Sequence, residues 1–160
     1  MDYEISNSTI SLTGGAGDSV EGDNDLISIN SPDLVSVTGS GDQIVSSGSG
    51  DVITVSGSAT ATMSGGSLSL QDGSQVTLSG TGDTVGINPS TLVLADDSQV
   101  ITMGAAGTIL LGSNDTVNNG DGGNVETFNA SGTGDNITLT GADGDLLNVS
   151  GRIQPLHSAW

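Results

Sequence analysis

Asp recurs at one place in this sequence, two residues ahead of an aliphatic residue, and any chemistry has to start from that spacing. Asp18, Asp25, Asp33, Asp42, Asp51, Asp83, Asp115, Asp135 and Asp145 occupy it, and Ser8, Ser74, Ser90 and Ser98 occupy it in four further copies. A short side-chain oxygen there has two uses. It can accept a hydrogen bond from a backbone N–H two residues on, closing an Asx or Ser turn where a strand begins, which explains why Asp and Ser exchange. Stacked carboxylates can instead hold a divalent cation. Two carboxylates one strand spacing apart repel by roughly 3 kcal/mol at an effective dielectric near 20, and by under about 1 kcal/mol in water. A long stack therefore calls for cations. The Ser- and Gly-rich middle, from Ala61 to Leu111, interrupts that stack. Candidate calcium ligands are then Asp18, Asp25, Asp33, Asp42 and Asp51 towards one end, and Asp115, Asp135 and Asp145 towards the other.

Little else in the chain is equipped for chemistry. His157 is the single His, and Arg152 is the single residue among Lys and Arg. A lone His has no partner with which to activate a nucleophile or complete a transition-metal site. Uronate-cleaving solenoid enzymes need cations around the substrate, and this chain has almost none. The expectation is a protein that is not an enzyme, with calcium as its only candidate cofactor. Nineteen carboxylates against one Arg leave a formal charge of −18, a surface that repels nucleic acid and anionic membranes. Without Cys there are no disulfides and no thiolate metal sites.

The elements that carry the aspartates repeat. Clear copies run Gly39-Ser-Gly-Asp42-Gln-Ile44 and Gly48-Ser-Gly-Asp51-Val-Ile53, followed later by Gly80-Thr-Gly-Asp83-Thr-Val85 and Gly132-Thr-Gly-Asp135-Asn-Ile137. The first aliphatic or Ala position of each copy is Ile10, Val20, Ile27, Val35, Ile44, Ile53, Ala61, Leu68, Val76, Val85, Leu92, Val100, Ile109, Val117, Val125, Ile137 and Leu147. Most gaps are seven to nine residues, and in eleven copies the residue two further on is again Ile, Leu or Val. That alternation marks a strand with one buried face, and no segment holds a 3.6-residue period over helical length. Units that repeat in one direction imply a coil that stacks equivalent strands in parallel. The expected fold is all-β: a parallel β-solenoid of about 17 short strands, two per coil, forming one domain over residues 1–150 with a C-terminal tail at 151–160. The near absence of aromatics, with only Tyr3, Phe128 and Trp160, suits a thin aliphatic core between two close sheets.

These copies resemble the Gly/Asp-rich nonapeptides of RTX (repeats-in-toxin) proteins, a family of bacterial β-roll proteins of the cell surface and matrix. The Asp-x-aliphatic ending matches across most of the chain. The glycine register departs from the family pattern: Gly sits immediately before Asp, where that family has one intervening residue. The resemblance implies calcium between successive turns, an extracellular location and export by type I secretion.

A solenoid leaves an open sheet edge at each end unless a cap covers it. Strand-like patterning here runs from Ile5 or Ile10 to Val149, with no segment that reads as a capping helix. Complementary open ends stack head to tail into filaments. The expected subunit interface comprises Tyr3 and Ile5 at one end, and Val149, Arg152 and Trp160 at the other. The expected function is an extracellular structural protein forming a fibre of a bacterial surface or biofilm matrix, its partner being itself and, at the surface, polysaccharide. Two alternatives are a calcium-dependent adhesin or spacer module of a larger RTX-type protein, and an ice- or carbohydrate-binding solenoid. Thr60, Thr77, Thr91, Thr102, Thr116 and Thr138 occupy varied places in the motif, against the flat Thr rank that ice binding requires.

Overall fold

The structure is a computed structural model, and it describes every residue except 16, 72, 88–89, 96–98, 105–107, 120–126, 140–143, 151–156 and 159–160. The described residues form strands and no helix. In chain order the strands are β1 (Asp2–Glu4), β2 (Thr9–Leu12), β3 (Asp18–Glu21), β4 (Leu26–Ile29), β5 (Leu34–Ser46), β6 (Val52–Ser64), β7 (Ser67–Leu70) and β8 (Gln75–Ile87). They continue as β9 (Thr91–Leu94), β10 (Gln99–Gly104), β11 (Thr108–Leu111), β12 (Thr116–Asn119), β13 (Thr127–Ala130), β14 (Asn136–Leu139), β15 (Leu146–Val149) and β16 (His157–Ser158).

Every pairing is parallel, and the register shows a coil. Ile10 pairs with Ile27 and Ile27 with Ile44, a step of 17 residues that contains two copies of the motif. Two strands per coil follow directly. One face stacks β2, β4, the second half of β5, the second half of β6 and the first half of β8, then β9, β11, β13 and β15. The other face begins β1, β3, β5 and continues through β7 to β10, β12, β14 and β16. Strands β5, β6 and β8 are each thirteen residues long and serve both faces, turning the corner without a break.

Alternation fills the interior. β4 buries Ile27 and Ile29 completely, and β9 buries Leu92 and Leu94. Of the expected core positions, thirteen from Val20 to Ile137 are buried, and Ile10 and Leu147 are half-buried at the two ends of the stack. The side chain of Val100 is not described, and Val125 lies outside the described residues. Near Val125 the structure places Phe128 in the core, fully buried on β13. One large ring there fills the column where other coils use Ile or Leu.

The columns are not made of equivalent motif positions throughout. Ile10, Ile27, Ile44 and Ala61 stack on Leu78, the second aliphatic of its copy. The first aliphatic of that copy, Val76, falls in a different column, Asp42–Ala59–Val76–Leu92–Ile109–Phe128–Leu147. The repeat has slid by two residues. A slip of two preserves which side chains face inward, whereas a slip of one would turn the core outward.

Candidate functional site: aspartates at the coil corners and open coil ends

Of the carboxylates singled out in the sequence, Asp25, Asp33, Asp42, Asp51, Asp115 and Asp135 are at most 5% exposed, as is Asp83. Asp18 and Asp145 are half-buried. The turn that carries each Asp explains its burial. The preceding residue sits in the left-handed region in nearly every copy: Gly41 (φ 77°), Gly82 (φ 74°) and Gly134 (φ 86°), with Asn24 (φ 59°) and Asn114 (φ 60°) in the same role. Gly and Asn are the residues that adopt this conformation at least cost. At Gly41 and Gly82 the parallel ladder skips one residue, so the bulge aims the following Asp into the corner.

Most of the buried carboxylates bond across coils, while Asp33 accepts the N–H of the adjoining Leu34 at 2.8 Å. Oδ1 of Asp25 accepts the N–H of Ser8 at 2.9 Å, and Oδ1 of Asp42 accepts the N–H of Asp25 at 3.0 Å. Asp51 takes the N–H of Asp33, Asp83 that of Gly66 and Asp135 that of Asp115, at 3.0–3.1 Å. Asp25, Asp42, Asp51, Asp83 and Asp135 thus each reach back one coil to a backbone donor there. Ser74 does the same in the Asp position: its Oγ accepts the N–H of Gly57 at 3.2 Å and donates to the Val55 carbonyl at 3.0 Å. The interchange of Asp and Ser read from sequence is real. Its reason is a bond to the coil before, in place of the expected bond two residues on.

Six of the expected calcium ligands form three stacked pairs, Asp25 over Asp42, Asp33 over Asp51 and Asp115 over Asp135. Asp18 is not part of a pair: it stacks on Val35 and binds the Met1 amino group at 2.8 Å, which raises the affinity of that amine for its proton. Among the described residues, no three acidic or His side chains converge in the way a metal centre requires. The second carboxylate oxygens divide into two groups. Asp51 Oδ2 accepts the Ser46 hydroxyl and Asp115 Oδ2 accepts the N–H of Gly112. Oδ2 of Asp25, Asp33, Asp83 and Asp135 is buried without a hydrogen-bond partner. Burial pushes the Asp42 carboxyl above the ordinary carboxylate range, against the opposing N–H of Asp25, and the nearby Asp25 and Asp23 add to the rise. Burial likewise raises Asp83, opposed by the N–H groups of Gly66 and Gly65.

The coil ends form the second candidate site. Among the described residues, β1 and β2 each pair on one side only, with β3 and β4, and β15 and β16 pair only with β13 and β14. Tyr3, Ile5 and Ile10 are half-buried at one end, Leu139 and Leu147 at the other, and Leu146 and Val149 are exposed. Of the interface residues expected from sequence, Tyr3, Ile5 and Val149 lie at these openings, while Arg152 and Trp160 fall outside the described residues. Ile10, Leu139, Leu146 and Leu147 were not singled out; their signal is membership of the first or last copy of the repeat. On the outer surface Thr91, Thr108 and Thr127 align in one short rank, Thr60 aligns with Thr77, and Thr116 stands against Asn136; the side chain of Thr102 is not described.

No protein-family model, curated protein or solved structure matches this chain.

Proposed function

We propose that this chain is an extracellular structural protein whose solenoid extends by end-to-end stacking into a fibre of a bacterial surface or matrix. The observation that supports the reading is that, among the described residues, the first and last strands of each face pair on one side only. Parallel strand edges and half-buried aliphatic side chains are presented at both ends, and a parallel coil makes the two ends complementary. Continuing the alternation of β15 into a second copy seats Ile10 on Leu147 and Leu12 on Val149. The −18 charge opposes disordered clumping of such subunits.

Electron microscopy and sedimentation of the purified chain, with and without a chelator, test this. Regular filaments in both conditions are expected, and Leu147→Lys should abolish them while leaving the β-sheet circular dichroism unchanged. Monodisperse monomers at high concentration would sink the proposal. A second reading, a calcium-dependent adhesin or spacer module of RTX type, draws on the stacked pairs Asp25/Asp42, Asp33/Asp51 and Asp115/Asp135. It predicts loss of structure on chelation.

A further inference from the structure

We infer that the buried corner aspartate Asp83 is a proton-binding site, so that the solenoid gains stability as the medium turns acidic. The geometry around its second oxygen carries this, since Oδ2 is buried without a hydrogen-bond partner. A methyl group placed on Gly22 would lie 1.3 Å from the Ile5 carbonyl oxygen and 2.9 Å from Asp25 Oδ2. The same arrangement recurs at Gly39, with the Gly22 carbonyl at 1.5 Å and Asp42 Oδ2 at 3.2 Å, and at Gly80, with the Met63 carbonyl at 1.9 Å and Asp83 Oδ2 at 2.9 Å. In each coil a carboxylate oxygen and a main-chain carbonyl oxygen face one small space, and at Asp83 that carboxylate oxygen has no hydrogen-bond donor.

A proton on Oδ2 converts that opposition into an O–H donor beside the carbonyl and leaves Oδ1 free to keep its inter-coil N–H. Ser74 already shows this pattern in the Asp position, accepting from Gly57 and donating to the Val55 carbonyl. Charge supplies no substitute. Asp42 faces Asp25 with Asp23 beside them, Asp33 faces Asp51 with Asp18 and the Met1 amino group nearby, and Asp115 faces Asp135. No Lys exists in the chain, and Met1 supplies the only ion pair among the described residues. Asp83 has only the backbone donors of Gly65 and Gly66.

The sign follows from the raised affinity. Asp83 holds a proton more tightly when folded than its ordinary value of 3.8. Its contribution to stability is complete below that value and is lost as pH rises through the higher folded-state value. The inference concerns the single folded chain and does not rest on stacking, which sedimentation reads separately.

The test is thermal unfolding of the full chain between neutral pH and about pH 4, together with carbon-13 NMR titration of the Asp carboxyls. The melting temperature should rise on acidification. Asp83→Asn should raise it at neutral pH by about 2–4 °C and flatten its pH dependence. The exposed pair Glu4→Gln/Glu21→Gln should leave the pH dependence in place, which separates buried protonation from relief of net charge. An Asp83→Asn variant less stable than the parent at neutral pH, equal flattening by the exposed pair, or an Asp83 carboxyl titrating at or below the ordinary value would overturn the inference. Calcium that stabilises the parent but not Asp83→Asn would overturn it too, by showing that a cation fills this site.

Discussion

Asp33 presents its backbone N–H to Oδ1 of Asp51, one coil further on, at 3.0 Å, and the other oxygen of Asp51 takes the hydroxyl of Ser46. Both partners are buried. Asp51→Ala strands the Asp33 N–H and the Ser46 hydroxyl away from water, and should cost about 2–3 kcal/mol. Asp51→Asn keeps an oxygen for the N–H and should cost less than half as much. Urea unfolding midpoints of the two variants decide this; equal losses would mean that charge, not hydrogen bonding, matters at Asp51.

Two glycines of the motif should respond differently to Ala. A Cβ on Gly39 would lie 1.5 Å from the Gly22 carbonyl oxygen, backbone that cannot move without separating the coils. Gly39→Ala should cost more than about 3 kcal/mol, or prevent folding. Gly50 has φ of +89° with nothing within 4 Å of its missing Cβ. Gly50→Ala should therefore cost only the backbone strain, about 1–2 kcal/mol. Circular dichroism during urea titration ranks them.

Core substitutions should report position along the coil. Phe128 is fully buried between Ile109 and Leu147, so Phe128→Ala should cost about 3–5 kcal/mol. Ile10, half-buried on the first stacked strand of its face, has a neighbour on one side only. Ile10→Ala should cost about 1 kcal/mol in the isolated chain, and its larger effect should fall on filament formation. Comparing unfolding midpoints with sedimentation separates the two.

Filament growth should depend on salt. Raising ionic strength from about 0.01 M to about 0.15 M shortens the screening length from about 30 Å to about 8 Å. Subunits of charge −18 then approach more easily, and the lag before light scattering rises should shorten. A lag that lengthens with salt would point to an interface held by ion pairs.

The period, the parallel all-β coil, two strands to a coil and nearly all of the core positions were legible because a strand with one buried face must alternate, and Val, Ile and Leu are the residues that repeat. The strand at Phe128 was less legible, since Asn and Ala beside the ring break the aliphatic pattern. The register slip beyond Ala61 left no mark in the sequence, because a shift of two residues keeps every buried side chain buried.

The aspartates divide along the same line. By itself the sequence determined that a short oxygen-bearing side chain stands two residues before the first aliphatic of most copies, often after a residue that tolerates a left-handed turn. Only the tertiary structure decided what that oxygen bonds. The donor it meets belongs to the preceding coil, usually 17 residues away, and no local pattern specifies a partner supplied by stacking. The space shared by Asp25 Oδ2 and the Ile5 carbonyl has the same origin: it exists because neighbouring coils pack at strand spacing against a glycine that has no side chain to fill it.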